Sequence, residues 1–385
     1  GRTRPAGPRL DAPRLKSLAR RYTGLHDFGD AGFGAGLEML LDSLEREAQL
    51  SSLGRCVAFF NLLNLLAVRL RMVDAAALRT EPPVIRRPLV ITGLPRTGTT
   101  ILHELIGCDP AFRAPLTWEV TRPVPQPEPA GHADARIPLV ARLLGLLEKM
   151  APGFQTIHAI GARLPQECVY LLSSHFHSEQ FAYMFNVPGY RRWLLEQDMS
   201  CAYAWHRNFL AHLQAGWPES RWVLKTPAHL ASLDALLGCY PDADVVWTHR
   251  RPLDALASFA SLTSTLRSGC SDRVDRLAVG KHEEEHFAAV LKRAIPQRDA
   301  LAAERFIDVS FAAICQDPIA VVGAIYRHFN IEFTDDARLG MEQYLRQRPR
   351  DLYGVHRYSA GEFGLDAAGE QARYAAYLER YGRWC

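Results

Sequence analysis

The stretch PLVITGLPRTGTTILHELIG, from Pro88 to Gly107, decides the fold of this 385-residue chain. Its first part, Leu89 to Thr92, is a short apolar run typical of a buried parallel strand. The loop from Gly93 to Thr100 contains two glycines, which let the backbone turn tightly so that successive N–H groups face an anion. The helix predicted after the loop directs its partial positive charge to the same point. The stretch therefore predicts a strand, a phosphate-binding loop and a helix.

The composition of the loop restricts its ligand. The spacing is that of the nucleoside triphosphate motif GxxxxGK[ST], but Thr99 stands where the motif has its lysine. That lysine normally reaches the β- and γ-phosphates, so its absence counts against a kinase or an NTPase. The cation in this loop is Arg96, and Thr97 and Thr100 add hydroxyl groups to that of Thr99. We predict an anion-binding loop, and a purely structural glycine turn is the alternative.

Further apolar segments alternate with helical patterns along the chain. RWVLKTP (221–227) and ADVVWTHRRP (243–252) end in polar turns, and RFIDVSF (305–311) is a weaker strand candidate. This alternation predicts an α/β fold with a P-loop-like central parallel sheet flanked by helices. Ligands in such folds bind beyond the carboxyl ends of the strands, which is where the polar turns lie.

The remainder of the chain is predicted to be mostly helical. We expect an N-terminal helical segment (1–84) packed on the core, and then an α/β domain (85–385) with a helical insertion at about 137–217. The most apolar early stretch, 57–73, contains two asparagines and two arginines, so it is interpreted as an amphipathic helix rather than a membrane span. The insertion is rich in aromatic residues, which are mostly expected in the core and partly along an apolar cavity.

The overall composition limits the class of protein. A content of 48% hydrophobic and 23% charged residues is typical of a globular protein, and a formal net charge of +3 is too small to indicate nucleic acid or a membrane surface as a partner. The eight cysteines form no CxxC pair, which favours reduced thiols over a disulfide framework or a zinc site. The N-terminus lacks the apolar core of a signal peptide. We therefore expect a cytoplasmic protein without a metal site or an integral membrane anchor.

The turn THRRP predicts a second phosphate site. Arg250 follows the strand directly, Pro252 suits the first position of a helix, and Ser258 lies about two turns into that helix. A guanidinium and a hydroxyl placed in this way can hold a phosphate group. The alternative for this arginine is a surface ion pair with one of the nearby aspartates, Asp242, Asp244 or Asp254.

Several segments together resemble the sulfotransferases that use 3′-phosphoadenosine 5′-phosphosulfate (PAPS). The resemblance extends over roughly residues 85 to 365 and is closest to a bacterial, largely actinobacterial, branch with a GxPRxGTT loop. The segments that carry it are GLPRTGTT (93–100), PLTWE (115–119), LPQECVYL (164–171), VLKTPAHL (223–230), THRRPLDALAS (248–258) and HRYSAGEFGL (356–365). The resemblance implies a transferase that binds PAPS and releases 3′,5′-bisphosphoadenosine.

The resemblance also implies how the donor is bound. The first loop is expected to hold the 5′-phosphosulfate through Arg96, Thr97, Gly98, Thr99 and Thr100. The 3′-phosphate is expected at Arg250 and Ser258, although Arg251 replaces the aspartate of the usual RDP pattern. Members of the family often have a basic C-terminal loop over the 3′-phosphate, and the corresponding residues here are Arg350, Gly354 and His356. This last match is looser, because Tyr353 and Val355 stand where lysines are expected.

Sulfuryl transfer requires a base for the acceptor hydroxyl and cations for the leaving phosphate. Glu119 is the first candidate for the base, Glu167 the second and His103 the third. The structural alternative for Glu119 is a helix-start carboxylate. Lys225 is one of only five lysines, ends a predicted strand, and resembles the lysine near the sulfate in the family. We expect transfer to a hydroxyl group of a hydrophobic small molecule or lipid. A P-loop small-molecule kinase and a non-catalytic protein that binds 3′,5′-bisphosphoadenosine are the alternatives.

The segment HEEEH (282–286) formally matches the zinc-protease motif HExxH. The stretch is charged and no third ligand is evident, so we interpret it as a solvated helix face.

Overall fold

The computed structural model describes residues 7–81, 83–127, 134–150, 161–214, 220–348 and 358–385. Within these ranges five parallel strands form one sheet in the order β2-β3-β1-β4-β5. The strands are β1 (Leu89–Gly93), β2 (Phe112–Arg113), β3 (Arg221–Lys225), β4 (Asp244–His249) and β5 (Phe306–Ser310). The predicted α/β fold is confirmed. The two-residue strand β2 was not predicted, since so short a segment has no periodicity.

Helices cover both faces of the sheet and make up the N-terminal part of the chain. The first six are α1 (Ala12–Thr23), α2 (Phe33–Arg46), α3 (Ser52–Ala77), α4 (Thr99–Ile106), α5 (Thr117–Thr121) and α6 (Arg136–Met150). The predicted insertion continues with α7 (Cys168–Ser173), α8 (Gln180–Met184), α9 (Pro188–Glu196) and α10 (Ser200–Gln214). The C-terminal part contains α11 (Leu233–Cys239), α12 (Pro252–Ser268), α13 (Arg276–Asp299), α14 (Phe311–Gln316), α15 (Pro318–His328), α16 (Asp335–Gln347) and α17 (Ala367–Tyr381).

Strand β1 is the centre of the sheet and is buried on both faces. Leu89 and Ile91 point into one hydrophobic cluster together with α4 and α15, whereas Val90 points into a larger cluster that includes α1–α3 and the insertion. Because successive side chains of a strand alternate between faces, burial on both sides requires the uninterrupted apolar run seen in the sequence. The N-terminal helices are thus packed against the same core as the sheet.

Helix α3 differs from the amphipathic helix that was predicted, because Arg69 points inward. Arg69 is 1% exposed, pairs with Asp30 at 3.2 Å, and lies between the rings of Phe33 and Trp205. In contrast, Phe60 is 64% exposed. Among the described helices, α3 is the one long and apolar enough to cross a membrane by length and composition, and over half of its most apolar window is buried in the protein.

The solvated face predicted for HEEEH is wrong for its first glutamate. Glu283 lies on α13, is fully buried, and pairs with Arg191 of α9 at 2.6 Å and with Arg267 of α12 at 3.4 Å. Glu179 pairs with the same Arg191 at 2.6 Å, and His286 lies 3.4 Å from Glu179. Two carboxylates and two guanidiniums therefore balance each other inside the protein. These partners are distant in sequence, so the motif alone gave no sign of them.

The fold leaves no room for a side chain at the end of β1. Gly93 has φ +153°, and a Cβ atom there would overlap the carbonyl and hydroxyl oxygens of Thr248 on β4. We expect Gly93→Ala to lower the free energy of unfolding by more than about 2 kcal/mol, as overpacking against backbone does. Denaturant unfolding followed by circular dichroism measures this effect.

Gly145→Ala is the matched control. Gly145 lies on the exposed side of α6 with open space where its Cβ would be, so alanine should leave stability unchanged or raise it by up to about 1 kcal/mol through helix propensity. Equal stability of the two variants would contradict the packing described at Gly93.

Candidate active site

The loop between β1 and α4 has the backbone of an anion-binding turn. Arg96 and Gly98 adopt positive φ values of +66° and +88°, and a Cβ at Gly98 would press on Ile314 of α14. The Thr97 hydroxyl donates to the Leu94 carbonyl at 2.6 Å. It is also 2.6 Å from the Thr248 hydroxyl. The Thr97 side chain therefore shapes the loop, and its backbone N–H remains the group that can face a ligand.

Lys225 and Glu167 form an ion pair beside the loop. The Lys225 ammonium at the end of β3 donates to Glu167 Oε1 at 2.6 Å and to Thr100 Oγ1 at 3.2 Å. The Lys225 side chain is 2% exposed, so it is not a surface lysine reaching into solvent. Glu167 immediately precedes α7 and is the residue that the insertion contributes to this pair. Two predicted site residues, 58 positions apart in sequence, thus meet at the start of α4.

His103 lies deeper, under the same end of the sheet. Its side chain is buried, and its Nε2 is 3.2 Å from the carbonyl oxygen of Val223, to which it donates. Burial, together with the charge of Lys225, lowers the pKa of His103 to about 3. The imidazole is therefore neutral at physiological pH and a weak base. His103, the third candidate for the base, is therefore poorly suited to that role.

Glu119 is held by structural partners. Its two carboxylate oxygens accept hydrogen bonds from Arg113 (2.5 Å) and from the backbone N–H of Leu116 (2.9 Å), which closes the first turn of α5. Arg113 also donates to the Leu213 carbonyl and lies over the ring of Trp222. Burial raises the pKa of Glu119, against the opposing charge of Arg113. The partners of Glu119 belong neither to the loop nor to the Lys225–Glu167 pair.

Arg96, Ser258 and Arg250 join the loop to the second predicted phosphate site. Arg96 Nε donates to Ser258 Oγ at 3.1 Å, and Arg250 Nη1 donates to the Arg96 carbonyl at 3.0 Å. Arg250 also lies 4.4 Å from the ring centroid of Phe311. No role was predicted for Phe311. Its position directly after β5 could have suggested one, because ligands in such folds bind beyond the ends of the strands.

Neither Arg96 nor Arg250 has a carboxylate partner among the described residues. Arg96 is exposed to solvent, so an anionic ligand can reach its guanidinium. Burial lowers the pKa of Arg96, and the neighbouring Arg250 charge adds to this effect. Two adjacent guanidiniums without counter-ions repel each other, and a bound anion relieves that repulsion. This part of the site is therefore suited to phosphate groups.

The second arginine of THRRP has a different task. Arg251 pairs with Glu370 of α17 through contacts of 2.9 and 2.8 Å, and the other oxygen of Glu370 accepts from the Leu253 N–H at the start of α12. Arg251 therefore fixes the C-terminal helix to α12. The aspartate pairing considered for Arg250 is not observed, because Asp244 pairs with Arg87 and Arg221.

Arg350, Gly354 and His356 lie outside the described residues, so their contact with the 3′-phosphate stays a prediction. No group of three or more histidine, cysteine, aspartate or glutamate side chains in the described ranges is arranged to hold a metal ion.

The fold and the site define an α/β protein with an anion-binding loop beyond its central strand, and comparisons with known proteins specify the family. The model of the sulfotransferase family matches residues 88–335, which is more than half of the chain. No curated protein sequence matches significantly. The chain belongs to the sulfotransferase family, and it is an enzyme of that class.

Two mycobacterial structures are similar over almost the whole chain. Sulfotransferase STF1 from Mycobacterium tuberculosis H37Rv is 32% identical, with 95% of this chain and 98% of that chain covered and a TM-score of 0.85. Sulfotransferase STF9 from Mycobacterium avium is 26% identical, with 96% of each chain covered and the same TM-score of 0.85. The N-terminal helices and the insertion are thus included in the similarity.

The two neighbouring arginines provide a matched pair for testing the second phosphate site. We expect Arg250→Ala to raise the Kd of 3′,5′-bisphosphoadenosine about 10- to 100-fold, because a charge-assisted contact to phosphate is lost. Arg251→Ala should leave the Kd within about twofold, since this side chain binds Glu370. Isothermal titration calorimetry at constant salt measures both values. An equal effect of the two substitutions would contradict the assignment.

Proposed function

We propose that this enzyme transfers the sulfuryl group of PAPS to a hydroxyl group. The observation that carries the proposal is the pair Arg96 and Arg250, two cations without a carboxylate partner among the described residues, which meet where the loop and the second site join. A nucleotide phosphorylated at both its 5′ and 3′ ends matches this arrangement, because each site supplies its own cation and hydroxyl. Thr99 in the lysine position of the loop leaves the kinase alternative without its phosphate-reaching group.

In this proposal the loop and Arg96 hold the 5′-phosphosulfate, and Arg250 and Ser258 hold the 3′-phosphate. The loop N–H groups and the N-terminus of α4 face the phosphate that becomes the leaving group. As the bond between sulfur and the bridging oxygen breaks, negative charge grows on that phosphate, and Arg96 is placed to neutralise it. Attack by the acceptor oxygen must be roughly in line with the breaking bond.

Glu167 is the base that the geometry favours over Glu119. Its carboxylate stands beside Lys225 and Thr100, whereas Glu119 uses both oxygens in the first turn of α5. We infer that the acceptor proton moves to Glu167 as the acceptor oxygen attacks sulfur. A protonated Glu167 no longer neutralises Lys225. The ammonium can then interact with the negative charge that grows on the leaving phosphate. The pair thereby couples proton removal to leaving-group stabilisation.

The acceptor is proposed to carry a hydrophobic body. Most aromatic side chains of the insertion are core residues, but Tyr170, Tyr183 and Met184 are only half-buried. They belong to α7 and α8, the part of the insertion that follows Glu167. An apolar small molecule or lipid with one hydroxyl group would place that hydroxyl near Glu167 and its body against these side chains.

Substitution of the two glutamates tests the proposal. We expect Glu167→Gln to lower kcat by about 10²- to 10⁴-fold, the usual contribution of a general base, with no weakening of 3′,5′-bisphosphoadenosine binding. The measurement is transfer of radioactive sulfate from labelled PAPS to a panel of phenols and hydroxylated lipids, together with calorimetry.

Glu119→Gln is the matched control. It should retain kcat within a few-fold while it is folded, but lose about 3–5 kcal/mol of stability because buried Arg113 loses its counter-ion. A large loss of kcat in Glu119→Gln with full activity in Glu167→Gln would return the role of base to Glu119. His103→Gln should not change the shape of the pH–rate profile, since His103 does not titrate near neutrality.

A further inference from the structure

Two tyrosines of the insertion have hydroxyl groups without a hydrogen-bond partner among the described residues. Neither Tyr170 nor Tyr183 has a hydrogen-bond partner for its hydroxyl in the described part of the chain, and neither hydroxyl is sealed from solvent. Buried tyrosines of the same insertion behave differently: Tyr190 donates to the Phe176 carbonyl, and Tyr203 lies 2.8 Å from the Nδ1 of His229. A free phenol hydroxyl within the protein needs a partner from outside.

Tyr170 is placed beside the proposed base. Its N–H donates to the Glu167 carbonyl at 3.0 Å, so the two residues are one helical turn apart at the start of α7. Side chains three residues apart on a helix share a face. Burial raises the pKa of Tyr170, and the nearby Glu167 charge raises it further. The phenol is therefore protonated at all physiological pH values and acts as a hydrogen-bond donor.

Tyr183 packs beside the predicted 3′-phosphate site. Its ring packs edge-on against Phe259 with centroids 5.2 Å apart, and Phe259 directly follows Ser258 on α12. Burial raises the pKa of Tyr183 well above its usual value, and the charges of Glu179 and Glu167 add to this effect. Tyr183 is thus a second hydrogen-bond donor, in contact with Phe259 and close enough to Glu167 to be affected by its charge.

The surroundings of Glu167 therefore offer one base and two protonated phenols. Glu167 takes a proton from the reacting hydroxyl group, whereas each phenol keeps its proton and can donate a hydrogen bond with it. A purely apolar alcohol would leave both phenols without a partner once water is displaced, which costs binding free energy. An acceptor with a second oxygen close to its reacting hydroxyl would satisfy them.

We propose that Tyr170 and Tyr183 determine acceptor specificity, and that they select hydroxyl compounds with a second, hydrogen-bond-accepting oxygen two or three bonds from the reacting hydroxyl. The proposal rests on the function proposed above and specifies its substrate class. The apolar body of the acceptor packs on the faces of the phenol rings, and the second oxygen accepts from their hydroxyl groups. Both tyrosines are specificity residues; neither moves a proton in the reaction.

The probes are 2-methoxyphenol and 4-methoxyphenol, which have the same atoms and differ in the position of the second oxygen. With labelled PAPS as donor, we expect the wild-type enzyme to have a kcat/KM about three- to tenfold higher for 2-methoxyphenol, the effect of one neutral hydrogen bond. Tyr170→Phe and Tyr183→Phe should reduce or abolish this preference, mainly through KM, without changing the Kd of 3′,5′-bisphosphoadenosine. Tyr22→Phe, at an exposed site in α1, is the control for the substitution itself.

Three results would overturn the inference: no preference in the wild type, a preference that survives in both variants, or no sulfation of either phenol by an enzyme that binds 3′,5′-bisphosphoadenosine. The failure of the proposed function is a separate result, since an enzyme that does not bind the bisphosphate at all contradicts the donor assignment. Calorimetry on the wild type distinguishes the two cases.

Discussion

The close approach of β1 and β4 at their carboxyl ends is the constraint on which the site depends. Gly93 has no room for a Cβ because Thr248 lies against it, and the hydroxyls of Thr97 and Thr248 are in contact. This contact fixes the loop against the strand that leads to Arg250. Since β3 flanks β1 on the other side, the ends of three adjacent strands deliver the loop, Lys225 and Arg250 to one edge of the sheet.

The cations at this edge fall into two groups: those paired with a carboxylate and those without a carboxylate partner among the described residues. Lys225 is paired with Glu167, and Arg251 with Glu370, whereas Arg96 and Arg250 have no carboxylate partner in the described ranges. An unpaired cation attracts an anionic ligand, while a paired one holds structure or responds when its partner changes protonation. On this ground we propose phosphate binding for the two arginines and a part in the chemistry for the Lys225–Glu167 pair.

The sequence was sufficient for the parts of the fold that depend on local pattern. The apolar run of β1, the glycines of the loop and Pro252 at the start of α12 each act through backbone preferences of neighbouring residues, so the sheet and the loop were predictable. Lys225 was identified because it ends an apolar strand in a chain with few lysines. Ser258 was identified because it lies about two turns into the helix that follows Arg250.

Pairings between distant residues could not be predicted in this way. The sequence around Glu167 does not show that its ion-pair partner is Lys225. The sequence around Glu119 likewise does not show that it pairs with Arg113. The buried positions of Arg69 and Glu283 likewise depend on partners from other helices. Charged residues were assigned to the surface by default, and burial in balanced pairs is the exception that only the tertiary structure reveals.

The central claim is that two separate phosphate sites bind one nucleotide. Calorimetric titration of the wild-type enzyme with 3′,5′-bisphosphoadenosine and with ATP, in the same buffer, tests it most directly. We expect 3′,5′-bisphosphoadenosine to bind about 10- to 100-fold more tightly than ATP, because only the bisphosphate places a 3′-phosphate at Arg250 and Ser258. Equal or tighter binding of ATP would contradict it.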